Sequence, residues 1–149
     1  MSGPWTTRVR VRHHEGCRAQ GSGPSFPVGE PLGLGADRSA PAAIDLALGA
    51  LGGELLDLLA GLCRRDGLEL DSLELSLVAH IDHPLVALGV VGETGTPVLS
   101  VIDGTCHAVT LDVSGSERLP VLWQQACARA VLLASLSRGC TVSIRLNVI

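Results

Sequence analysis

The stretch PAAIDLALGALGGELLDLLAGLCRR, Pro41 to Arg65, constrains this chain more than any other, because it is the longest run that keeps helical periodicity. At about 100° per residue, Ile44, Leu48, Leu51, Leu55, Leu58, Leu59 and Leu62 share one arc, with Glu54, Asp57, Arg64 and Arg65 opposite. Ser39 is placed to cap the N-terminus and Pro41 to sit in the first turn. Arg64 and Arg65 complement the negative end of the dipole. The interior glycines Gly49, Gly52, Gly53 and Gly61 each cost roughly 1 kcal/mol against alanine, which points to the close approach of another backbone. Asp45, Glu54 and Asp57 interrupt the apolar run. The stretch therefore reads as a buried soluble helix facing a second helix or a partner subunit, with no membrane span.

A chain of 149 residues is one domain's worth, and such a domain buries about 70% of its unfolded surface. With 46% hydrophobic and 17% charged residues it has material for an extensive core and little tendency to disorder. Trp5, Phe26 and Trp123 are the only aromatics, so the core is built from Leu, Val and Ala. Stacking platforms for single-stranded nucleic acid are missing. A net charge of −4 offers no footprint for phosphate backbones or anionic membranes, so neither is expected as a partner. The opening MSGPWTTRVRVRHH has no apolar signal core, which suggests a cytoplasmic protein. Cys17, Cys63, Cys106, Cys127 and Cys140 are odd in number, scattered and without a CxxC pair, so reduced thiols are expected.

Along the chain, Thr6 to His13 alternates, with Thr7, Val9, Val11 and His13 on one side and Arg8, Arg10 and Arg12 on the other. This is a half-exposed strand whose arginine row reads as a solvated face. His13, His14 and Cys17 have metal-ligand chemistry but no spaced partner pair, and read as a turn. Residues 21–41 are rich in Gly and Pro and form an irregular connection. Gly33-Leu34-Gly35 hints at a phosphate loop, without a preceding strand or a third glycine. Arg65-Asp66-Gly67 is a turn, and Leu68 to Val78 alternates as a strand with a bend or bulge at Asp71-Ser72. His80 and His83 belong to a polar turn, followed by a short apolar run, Leu85 to Val91. Val98 to Ile102 and Thr105 to Val113 read as strand, broken or bulged at Asp103-Gly104. A second helix starts at Ser114 or Ser116, runs to about Leu136 and stops at Gly139. Thr141 to Val148 is the last strand. The order of strands, long helix, strands, helix and strand is an α+β pattern. It fits a single domain over 1–149, with an N-terminal strand and loop in 1–40 and a helical and sheet core in 41–149.

Ala50-Leu51-Gly52-Gly53-Glu54 in the first helix, Leu136-Ser137-Arg138-Gly139 before the closing strand, and the LVALGVVGETGTP stretch from Leu85 to Pro97 resemble the OsmC/Ohr family. That group comprises osmotically inducible and organic-hydroperoxide-resistance proteins, and the chain is similar to a divergent branch of it over roughly residues 30 to 149. The resemblance implies an intertwined homodimer. In active members a cysteine in the first helix attacks a hydroperoxide, and a second, at the start of the later helix, resolves the sulfenic acid as a disulfide. An acid about two and a half turns earlier and an arginine from the N-terminal region activate the thiolate.

This sequence departs from that pattern at the sulfurs. Anchored on Ala50-Leu51-Gly52, the attacking position is Glu54; anchored on Pro41, it is Gly52. The resolving position is Ala130, Asp45 falls where the family carries its acid, and Arg18 is the remaining candidate for the arginine. Neither a carboxylate nor a glycine reduces a peroxide by the thiol route, so peroxidase activity does not carry over with the fold.

The expectation is a homodimer without peroxidase chemistry, metal or cofactor. It would hold a small apolar ligand in a pocket near the dimer interface, with Asp45, Gly52, Gly53, Glu54 and Ala130 as candidate lining. The alternative is a thiol peroxidase using displaced cysteines, Cys63 or Cys127. Cys63 lies about 13 Å beyond Glu54 along the helix and Cys127 about 4.5 Å before Ala130. A disulfide tolerates Cα separations only to about 7 Å, so those offsets do not match, and small buried hydrophobes are the simpler reading. Glu54 has a plain reading too, as part of a solvated helix face beside Asp57. A third class is a structural dimer with no ligand.

Overall fold

The leucine periodicity does produce a helix: α1 runs Ala43–Arg65 in the computed structural model, which describes residues 3–149. Its start differs from the sequence expectation. Ser39 and Pro41 both precede the helix, and the Ser39 amide donates to Asp37 Oδ1 at 2.8 Å. The first helical amides, Ala43 and Ile44, donate instead to the carbonyls of Glu30 and Pro31, at 3.1 and 3.2 Å. Backbone carbonyls from the preceding loop thus satisfy the orphan donors that a side-chain cap would have taken.

The chain divides into two compact units, Met1–Gly49 and Ala50–Ile149. In the first, β1 (Arg10–His13), β2 (Cys17–Gln20) and β3 (Phe26–Val28) form an antiparallel sheet in that order. The strand expected from Thr6 begins only at Arg10, and all four of its residues are exposed. Its partner β2 ends at Gln20, opposite Arg10, so nothing extends the ladder further back. His14 to Gly16 make the turn expected there, with Glu15 and Gly16 at φ 51° and 122°.

In the second unit, β4 (Ser72–Asp82), β5 (Val98–Val109) and β6 (Thr141–Val148) form a sheet with β5 in the middle. β4 pairs with it antiparallel and β6 parallel. The short helix α2 (Pro84–Ala87) follows β4, and α3 (Gly115–Arg129) and α4 (Val131–Leu136) form the crossover from β5 to β6. A parallel pair needs such a connection. The core of this unit consists of Leu51, Leu55, Leu59, Leu62 and Cys63 of α1, Leu68 after it, Ile102, Cys106 and Ala108 of β5, Leu119, Leu122, Trp123 and Ala126 of α3, and Ala130. By length and composition α1 could cross a membrane, yet four of its leucines are buried within the unit. Ile44, Leu48 and Leu58 of the expected arc are only half-buried.

Three further expectations are corrected here. β5 is continuous through Asp103-Gly104, because Gly104 lies opposite Leu77 and leaves room for it. A Cβ at 104 would stand 2.6 Å from Leu77 Cδ2 and 2.7 Å from the Ser76 carbonyl. The irregularity falls instead in β4, between His80 and Ile81. The expected second helix is two: the backbone turns extended at Ala130 (φ −76°, ψ 111°), separating α3 from α4.

Candidate functional site

Glu54 projects from α1 to the break between α3 and α4. Its Oε1 accepts from the amides of Val131 and Leu132 at 2.8 and 3.1 Å. Its Oε2 accepts from Leu132 and Leu133 at 2.9 and 3.4 Å. The extended backbone at Ala130 strips α4 of its preceding turn, leaving its first amides without helical acceptors. A carboxylate at that end satisfies them and complements the helix dipole. Glu54 is thus half-buried rather than part of a solvated face beside Asp57, and its oxygens engage backbone amides.

Ala130, buried, immediately precedes the amides that Glu54 holds. The structure therefore brings together Glu54 and the neighbourhood of Ala130, where the resemblance, anchored on Ala50-Leu51-Gly52 for the first, implies sulfurs. A Cβ on Gly52 would make ordinary contact at 3.6 Å with Leu75 and Leu77 of β4. At Gly49, Gly53 and Gly61 an added Cβ would meet nothing within 4 Å among the described residues. The expected close approach of another backbone is thus absent from this chain at those three positions.

In the first unit, Asp45 is exposed at the rim of a 330 Å³ hollow that also involves Gly33, Arg38 and Ala42. Arg18, on β2, donates to Ser25 Oγ at 2.9 Å.

All five cysteines are free. Cys63 and Cys106 are buried and Cys127 half-buried. Burial pushes the Cys63 thiol above its ordinary range, and the neighbouring Asp66 carboxylate adds to this, outweighing the Arg118 guanidinium. Cys106 is pushed up to about 11 by burial, with Cys127 contributing. Burial raises Cys127 as well. A raised thiol is mostly protonated near neutrality and a poor nucleophile.

The sequence reading missed one polar cluster. Arg118 of α3 donates through Nε and Nη2 to Asp66 Oδ2, at 3.0 and 2.6 Å, and through Nη2 also to the Asp66 carbonyl. Its Nη1 reaches Asp112 Oδ2 at 3.3 Å and Ser114 Oγ at 3.1 Å. Asp112 Oδ1 in turn accepts from the Ser114 hydroxyl and amide, at 2.7 and 2.9 Å. These Ser114 bonds, with smaller help from Arg118, hold the Asp112 carboxyl below its ordinary range. The group clasps the turn after α1 to the entry of α3. An Asp two residues before a helix-starting Ser is a readable turn signal; the partner Asp66, 52 residues from Arg118, is not.

No family model matches the sequence, and no curated protein does. Solved structures do match. A hypothetical protein from Aquifex aeolicus VF5 superposes with a TM-score of 0.73 at 13% identity, over 98% of each chain. An OsmC-like protein from Mycoplasma pneumoniae gives 0.72 at 8% identity, over 100% of this chain and 99% of that one. An organic hydroperoxide resistance protein from Elizabethkingia anophelis gives 0.70 at 12%, over 100% of both. At such identities the likeness speaks for architecture and not for chemistry. The chain has the OsmC/Ohr fold.

Proposed function

We propose that this is a cytoplasmic OsmC/Ohr-fold homodimer that has given up hydroperoxide reduction and holds a small apolar ligand near its dimer interface. The observation that carries the reading is Glu54, the attacking position when the resemblance is anchored on Ala50-Leu51-Gly52, whose two oxygens are engaged by the amides of 131–133. A carboxylate so held has no sulfur to oxidise and acts as a structural cap. The dimer and its ligand are supported by α1, of whose 23 residues only Leu51, Leu55, Leu59, Leu62 and Cys63 are buried. The half-buried Leu56 and Leu58 flank an exposed side of the helix on which Gly53 and Gly61 leave room beside Asp57 and Arg64, and this side is offered to a second copy, with the flanking leucines toward a small apolar molecule.

The rival reading, a peroxidase working through Cys63 or Cys127, is opposed by the burial that raises both thiols. Incubation with an organic hydroperoxide and a dithiol reductant separates the two. The expected result is consumption no faster than with free thiol and no protein disulfide. Rapid turnover abolished by Cys63→Ser or Cys127→Ser would overturn the proposal.

A further inference from the structure

The sheet of the first unit carries an uncompensated positive face. In the β1–β2 ladder Arg10 lies opposite Gln20, and Arg12 lies directly opposite Arg18. Residues two apart on a strand, and their cross-strand partners, project from the same side. Arg10, Arg12 and Arg18 thus share one face, and with Gln20 and Ser25 they line a 250 Å³ hollow. Like charges directly opposite on a ladder destabilise it, and here nothing local offsets them. Among the described residues none of the three arginines forms an ion pair. Two acids of the unit are engaged elsewhere, Glu30 by the Gly35 amide and Asp37 by the Ser39 amide. Residues 1–25 hold four arginines against one glutamate, +3 in a chain of net −4.

We propose that this hollow is a binding site for the phosphoryl group of a small phosphate-bearing molecule, held by Arg10, Arg12 and Arg18 with Ser25 and Gln20 supplying neutral hydrogen bonds. A breach of local pairing rules without local compensation is expected where a ligand completes the arrangement. Guanidinium forks match tetrahedral oxyanions bidentately, and the Arg18 fork is already oriented by Ser25 Oγ at 2.9 Å. The concave shape and the small number of cations favour a compact anion over a nucleic-acid backbone, which asks for a long basic track. The inference is independent of whether the peroxidase chemistry is lost.

Isothermal titration of the full chain at low ionic strength, with inorganic phosphate and with phenyl phosphate, tests it. Saturable one-to-one binding is expected for both, tighter for phenyl phosphate if the natural ligand is an ester. Arg12→Gln and Arg18→Gln should each weaken binding roughly tenfold or more, while Arg145→Gln on β6 leaves it unchanged. In chloride buffer, Arg12→Gln should raise the thermal midpoint, because it relieves the repulsion. The proposal is overturned by an absence of saturable heat, by equal losses in Arg145→Gln, or by a single-stranded oligonucleotide binding more tightly than phenyl phosphate with a steep salt dependence.

Discussion

At the residue scale, Glu54 carries the most consequence. Glu54→Gln keeps the side-chain length but removes the charge and one acceptor, so α4 loses acceptors for its first amides. The expected cost is about 1–2 kcal/mol of stability, with faster hydrogen exchange confined to the amides of 131–133. Unchanged exchange at those amides would mean that Glu54 is not the cap. Asp112 gives a pH prediction. Its folded-state pKa is lowered from the ordinary 3.8 by the Ser114 hydrogen bonds and by Arg118. Its contribution to stability is therefore complete above that ordinary value, and is lost as pH falls through the lower folded value. Asp112→Asn should lower the thermal midpoint at neutral pH and flatten its decline below about pH 4; a parallel decline in both proteins would contradict this.

At the element scale, Gly104 lets β5 run straight past Leu77. Gly104→Ala should cost about 1–3 kcal/mol, since the added methyl meets the Ser76 carbonyl at 2.7 Å; thermal unfolding measures it. Legibility in the sequence followed the range of the forces involved. α1 and β6 were plain because their periodicities, 3.6 and 2, belong to the segment itself. The bounds of β6 match the reading to the residue. The break at Ala130 was invisible, because alanine is the best helix former and nothing in QQACARAVLLASL weakens the helix. It exists with a carboxylate 77 residues upstream waiting for the freed amides. Asp103-Gly104 misled for the opposite reason: a turn-like pair became strand once a cross-strand leucine needed its space. At Glu54 the resemblance drew attention to the residue and to Ala130, while its backbone partners at 131–133 were not legible, since no side chain announces them.

At the scale of the whole molecule, the proposed assembly rests on the side of α1 left open at Gly53 and Gly61, flanked by Leu56 and Leu58. Sedimentation velocity should give a dimer at micromolar concentration, and Gly53→Arg, placed where an added side chain meets no atom of its own chain, should yield monomer with secondary structure intact. A wild-type monomer would sink the dimer. The order of the larger sheet, with β5 in the middle, has a separate effect. Both outer strands end the sheet with a row of backbone donors and acceptors turned sideways. β4 is guarded by its irregularity at His80/Ile81 and by Glu74, His80 and Asp82. β6, TVSIRLNV, has one arginine and no kink, so lateral growth by strand addition from another molecule would begin along that side.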